Sequence, residues 1–170
     1  QKSQTGKVIC HDSNLKPIYS DNSYIISNGP VFDYERNVGY VTDSIKRIIY
    51  IFSINDLSGN GINKKVFLSM NKIDGNPDGM TVDKNGNLWV AMWGSGKVCC
   101  FDKKGSLKLI LQLPVSKVTS CTFGGKNLNE LFITTASVGL NDIEAERQPH
   151  AGKIFKFVTQ EQGYASNCYR

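Results

Sequence analysis

The sequence predicts an all-β fold, an incomplete β-propeller of roughly three and a half blades. Three observations carry that reading. Strand-sized runs rich in β-branched and aromatic residues are separated by Gly, Asn and Asp. No convincing long amphipathic helix lies among them. The runs also recur in a fixed order, at roughly the 40–50-residue period of propeller blades.

The elements follow in chain order. Gly6-Lys7-Val8-Ile9-Cys10-His11-Asp12 matches the last part of a later unit, Gly96 to Asp102. Residues 1–27 therefore read as the tail of a blade whose first strands lie upstream. The first complete repeat, residues 28–77, runs from Asn28-Gly29-Pro30-Val31-Phe32-Asp33 through Gly39-Tyr40-Val41-Thr42-Asp43 to Arg47-Ile48-Ile49-Tyr50-Ile51-Phe52. The second, residues 78–119, opens on Asp78-Gly79-Met80-Thr81-Val82-Asp83. It turns at Lys84-Asn85-Gly86 into Asn87-Leu88-Trp89-Val90-Ala91 and continues to Gly96-Lys97-Val98-Cys99-Cys100-Phe101-Asp102. The third, residues 120–158, joins Ser120-Cys121-Thr122-Phe123 to Leu131-Phe132-Ile133-Thr134 and Gly152-Lys153-Ile154-Phe155-Lys156-Phe157, leaving residues 159–170 as a C-terminal tail. Strands are expected near 38–42, 48–52, 87–91, 97–101, 130–134 and 153–157. Repeat units bury their faces against neighbours, so the 170-residue chain taken alone is expected to aggregate or fold poorly and to be inactive.

Composition narrows the function. Hydrophobic residues make up 40% and charged residues 21%, the balance of a globular chain. The longest apolar run, Ile48 to Phe52, is strand-sized, and no membrane partner is expected. The net charge of +5 is scattered over turns such as Asn63-Lys64-Lys65, whereas nucleic-acid readers gather theirs in a patch, so no nucleic-acid partner is expected either. The five cysteines, Cys10, Cys99, Cys100, Cys121 and Cys168, form no C-x-x-C pair and sit mostly in strand-like runs. They read as reduced, buried thiols and favour a cytoplasmic location. The oligomeric state has no sequence signal.

Candidate chemistry lies where blades begin. The first strand of each blade lines the central channel, and Asn28 and Asp78 occupy equivalent positions in consecutive repeats. An amide oxygen and a carboxylate are hard donors suited to Ca²⁺, Mg²⁺, Mn²⁺ or Zn²⁺, and the two side chains are expected to converge at one end of the channel. Asn-Gly and Asp-Gly are also common turn dipeptides, and Asn85-Gly86 reads that way. The shared repeat position separates Asn28 and Asp78 from such turns. His11 and His150 have no partner at ligand spacing and read as surface or strand residues. Gly94-Ser95-Gly96 and Gly59-Asn60-Gly61 lack the Lys and helix of a phosphate loop and read as tight turns. Trp89 reads as core between blades, and Trp93 as a residue that could face a channel mouth. Ser120 and Cys121 both stand at the start of the third repeat, where the alignment is good to one residue.

Several of these segments together resemble a known family. Ile26-Ser27-Asn28-Gly29, Pro77-Asp78-Gly79-Met80, Gly86 to Ala91, Thr119 to Gly125, and Glu146-Arg147-Gln148-Pro149 followed by Ala151 to Phe155 are similar to the regucalcin, senescence marker protein, gluconolactonase and luciferin-regenerating enzyme family. The resemblance runs from about Gly6 to Phe157 and corresponds to the C-terminal part of the propeller. It implies a six-bladed propeller with one divalent cation in the channel, held by a Glu of the first blade, an Asn of an S-N-G segment and an Asp of a P-D-G segment. The last two carry over to Asn28 and Asp78, with Asp78 also as general base. The Glu has no counterpart in these residues. The implied activity is cation-dependent hydrolysis of a small sugar-type lactone. The alternatives are a non-catalytic calcium-binding or protein-interaction propeller, or a hydrolase like the luciferin-regenerating enzyme.

Overall fold

The structure is a computed structural model describing residues 3, 5–58 and 62–165. Its strands are β1 (Gly6–His11), β2 (Pro17–Tyr24), β3 (Ser27–Asp33), β4 (Val38–Asp43), β5 (Ile48–Ser53), β6 (Lys65–Ser69), β7 (Asn76–Val82), β8 (Leu88–Trp93), β9 (Lys97–Phe101), β10 (Leu107–Gln112), β11 (Val118–Gly124), β12 (Glu130–Thr135) and β13 (Ile154–Val158). A 3-10 helix, Ile54–Ser58, follows β5, and one short helix, α1 (Asp142–Arg147), lies between β12 and β13. Each predicted strand is present with ends within one or two residues. Neighbouring strands pair in chain order as antiparallel meanders, giving sheets of two (β1–β2), four (β3–β6), four (β7–β10) and three strands (β11–β13). The fold is all-β and propeller-like, incomplete relative to a full propeller. Among the described residues no helix is long and apolar enough to cross a membrane.

The chain divides into two compact units, Gln1–Pro77 and Asp78–Arg170, with the boundary inside β7. In the first unit, Tyr24, Val41 and Phe52 form a core joined by Val8, Phe32, Tyr50, Leu57 and Ile62, so the two-stranded sheet packs on the four-stranded one. Lys64 clamps that contact: its ammonium bonds the Asp21 carboxylate and lies 4.0 Å from the Tyr24 ring centroid and 4.8 Å from that of Tyr50. Burial works to raise the Asp21 pKa, but Lys64 and Ser23 prevail and hold it at about 2.

In the second unit, β8 and β9 pack on β11 and β12 through Trp89, Ala91, Val98, Cys100, Val118, Cys121, Leu131 and Ile133. Trp89, 2% exposed, meets Phe123 edge-on at 5.7 Å, which bears out its reading as core between sheets. The segment after β13 ties these sheets together: the Gly163 amide donates to Leu128 O at 2.8 Å, and the Lys84 amide donates to Gln162 O at 2.7 Å. Only glycine fits at 163, because a Cβ there would lie 2.2 Å from Phe123 Cβ.

Among the described residues one hairpin turn occurs three times and gives the sequence repeat a physical basis. At Asp12, Asp83 and Asp102 the carboxylate Oδ1 accepts the amides two and four residues on, at 2.9 Å from Asn14 and Lys16, 2.9 Å from Asn85 and Asn87, and 2.8 Å from Lys104 and Ser106. The residue three positions after the Asp has positive φ each time: 61° at Leu15, 80° at Gly86 and 86° at Gly105. A side chain in that left-handed region clashes with the following carbonyl, and Leu15 is 71% exposed with no burial to offset the cost. Leu15→Gly should therefore stabilise the chain by roughly 0.5–1 kcal/mol net of the entropy glycine adds to the unfolded state, read as a higher urea midpoint.

Candidate functional site

Asn28 is the second residue of β3 and pairs across to Thr42 of β4. The register then shifts between Asn28 and Val31, with Gly29 at φ 82°, so the strand bulges just beyond the Asn28 side chain. Bulges of this kind re-aim a side chain without ending the sheet. Asn28 is half-buried. Its Nδ2 donates to Ser44 Oγ at 2.8 Å, and Ser44 Oγ donates to the Pro77 carbonyl at 2.6 Å. Ser44 is buried just past the end of β4. The structure thus joins Asn28, Ser44 and the backbone immediately before Asp78 in one chain of hydrogen bonds.

Asp78 is the third residue of β7 and is half-buried. Burial pushes its pKa up to about 6, and the Gly79 amide opposes this only in part. No cationic side chain pairs with it among the described residues. Gly79 lets β7 approach β11 closely: a Cβ there would lie 2.2 Å from Ser120 Oγ.

The one-residue ambiguity at the third repeat is resolved. Ser120 lies against Gly79, whereas Cys121 faces the core, with its Sγ donating to Trp89 O at 3.5 Å. Burial raises the Cys121 thiol to about 12, Cys100 to about 12 and Cys99 to about 11, so none is a thiolate nucleophile near neutral pH. Cys10 is half-buried, and Cys168 and Gly59-Asn60-Gly61 lie outside the described residues. Gly94 and Gly96 take positive φ in the β8–β9 hairpin, as a tight turn requires. His11 ends β1 exposed, and exposed His150 contacts Lys153 Nζ through Nδ1 at 3.2 Å. Trp93 lies under Lys117, whose Nζ is 5.6 Å from the ring centroid. Ser44 has no sequence signal of its own.

Each of the two oxygen donors, taken by itself, is of a kind that suits a hard divalent cation. Asn28 Oδ1 is turned away from Ser44, and Asp78 is a desolvated carboxylate, which a cation would hold ionised. Among the described residues no group of three or more His, Cys, Asp or Glu side chains could hold a metal.

Comparison with known proteins bears on the family and the fold. The model of the SMP-30/Gluconolactonase/LRE-like region matches residues 1–137. A Bacillus subtilis (strain 168) protein whose name assigns it provisionally as sugar lactone lactonase YvrE is 39% identical over 140 residues, covering 81% of this chain and 48% of that protein. Regucalcin of Danio rerio is 34% identical over 148 residues, covering 84% and 50%. The crystal structure of a calcium-binding regucalcin from Agrobacterium tumefaciens superposes with a TM-score of 0.81 at 25% identity, over 91% of this chain and 52% of that one. The chain spans about half the length of the curated relatives it matches. On a match that covers most of its length, the chain belongs to the SMP-30/gluconolactonase/LRE-like family.

Proposed function

We propose that the natural protein carrying this sequence hydrolyses sugar-type lactones with one bound divalent cation, Asn28 and Asp78 being two of the ligands and Asp78 the general base. The observation that carries this reading is Asp78 itself. Its carboxylate is desolvated, lacks a cationic partner among the described residues, and has a pKa of about 6. A desolvated carboxylate without a cationic partner can serve both as a ligand to a hard cation and as the acceptor of a proton from water. The bound cation would supply Lewis acidity to polarise the lactone carbonyl. Asn28 Oδ1 would hold its place in the shell without adding charge. Asp78 would take a proton as the water oxygen adds to the carbonyl carbon. It would return that proton to the alkoxide released when the ring C–O bond breaks, leaving a hydroxy acid. The buried free thiols Cys99, Cys100 and Cys121 support a reducing, cytoplasmic compartment.

The test uses the full-length protein and a simple aldonolactone. Chelation should abolish hydrolysis, and Ca²⁺, Zn²⁺, Mn²⁺ or Mg²⁺ should restore it. Asn28→Ala should raise the cation concentration for half-maximal activity by roughly 10–100-fold while sparing the rate at saturating cation. Hydrolysis indifferent to chelation would refute the cation's role, and cation binding without lactone turnover would favour a calcium-binding propeller.

A further inference from the structure

We propose that Ser44 is a positioning residue that fixes the polarity of the Asn28 amide and so presents Asn28 Oδ1, rather than Nδ2, to a divalent cation. This deepens the function proposed above and rests on it.

Donors and acceptors around Asn28 fix the orientation of its amide. An asparagine amide can sit either way round, and its two ends differ in chemistry rather than in shape. Here the neighbours decide. The Pro77 carbonyl can only accept, so at 2.6 Å the Ser44 hydroxyl must spend its one proton there. Ser44 Oγ then has only lone pairs left for Asn28, so the amide atom 2.8 Å away must be the donor, Nδ2. Oδ1 is consequently directed away, with no donor on it among the described residues. Ser44 is 7% exposed and Pro77 is buried, so water cannot readily replace either bond. The bulge after Asn28 aims the side chain, and Ser44 selects which of its ends is offered.

Asn28→Asp provides the converse case. A carboxylate oxygen placed at Ser44 is a second acceptor competing for the proton that Pro77 already holds. Either the Pro77 carbonyl loses its bond or two acceptors face each other. The added charge, which alone would favour a cation, is set against that conflict.

The experiment uses the full-length protein. Calcium affinity is measured by calorimetry for wild type, Ser44→Ala, Ser44→Thr and Asn28→Asp. Exchange of the Asn28 side-chain amide protons is followed by NMR without metal. Ser44→Ala should weaken calcium binding by about 10–100-fold, as loss of a partner behind a ligand commonly does, and should remove exchange protection from the Asn28 amide. Ser44→Thr, which keeps the hydroxyl, should restore both, and Asn28→Asp should bind calcium no more tightly than wild type. If Ser44→Ala does not fold, Asn28→Asp decides alone: tighter calcium binding there overturns the proposal. Wild-type calcium affinity in Ser44→Ala overturns the role of Ser44 while leaving the proposed function standing. A wild-type protein that binds none of Ca²⁺, Zn²⁺, Mn²⁺ or Mg²⁺ overturns both, even if the Asn28 amide is protected as described.

Discussion

Asp78→Asn should abolish lactone turnover in the full-length protein and, without metal, make it more stable at neutral pH. The first effect follows from the loss of the base and of one ligand charge together. The second follows from burial. Burial pushes the folded carboxyl up to about 6 from its ordinary 3.8, so folding favours its neutral form. Between about pH 4 and pH 6 the unfolded chain gives up that proton while the folded chain keeps it, so stability falls as pH rises through this window. Below about pH 4 both states are protonated and the penalty vanishes; above about pH 6 it is complete. For a half-buried group it is on the order of 2 kcal/mol, which asparagine removes. Urea titrations at pH 4 and pH 7, with chelator present, should show variant and parent alike at the lower pH and the variant more stable at the higher. Bound cation should reverse the order, since it stabilises only the ionised parent. A variant destabilised at pH 7 without metal would make Asp78 a structural carboxylate, and one retaining turnover at saturating cation would remove its catalytic role.

Sequence reasoning reached furthest where chemistry and local geometry coincide. The Asp-led turns at 83 and 102 both carry glycine at the left-handed position; the strand after the first, 87–91, was legible, whereas β10 after the second was not among the expected strands. At Asp12 the repeat match reached only as far as the Asp itself, and the turn beyond it went unread because Leu15 stands where the other two turns have glycine. Asn28 and Asp78 stood out because two oxygen donors share a repeat position; the strands themselves start one or two residues earlier, at Ser27 and Asn76. Ser120 and Cys121 could not be separated, since a slip of one residue exchanges the two faces of a strand, and packing of Cys121 against Trp89 decides it. Ser44 was silent because its partners lie 16 and 33 residues away in sequence. Helix α1 did leave a trace, the capping box of Asn141 and Glu144, but six residues without an apolar stripe give no periodicity to detect. The crossing of residues 159–163 over Phe123 left only a glycine, Gly163, whose need is set by a side chain 40 residues away.

Asp83→Asn, a change of one atom, should be among the most destabilising substitutions in the second unit. Asp83 is fully buried, and its carboxylate accepts four hydrogen bonds. Oδ1 takes the amides of Asn85 and Asn87, while Oδ2 takes Asn87 Nδ2 at 2.8 Å and Trp89 Nε1 at 2.9 Å. All four partners are donors, so every lone pair is committed and no proton is wanted. Asparagine supplies one acceptor atom and one donor atom. Whichever way its amide turns, an NH₂ group faces two N–H donors in a site closed to water. Asn87 has little freedom to yield, because its own Oδ1 accepts from Lys108 Nζ at 3.3 Å. Trp89, at the centre of the packing between β8 and β11, would keep its ring buried and lose its partner. Leaving two or more buried donors unpaired costs about 3–5 kcal/mol, a fall of roughly 10 °C or more in the melting midpoint. Asp102→Asn is the matched control. The turn has the same geometry, but Oδ1 takes the amides of Lys104 and Ser106 on the exposed side of the hairpin, with the Ser106 hydroxyl and the Lys104 charge as further partners. An asparagine carbonyl can accept both, and its NH₂ can face water. Its melting midpoint should fall far less than that of Asp83→Asn, because the amides and the Lys104 charge favour the Asp102 carboxylate only at an exposed turn. Equal melting of the two variants would mean that the Asp83–Trp89 bond and its buried neighbours contribute nothing beyond the turn itself.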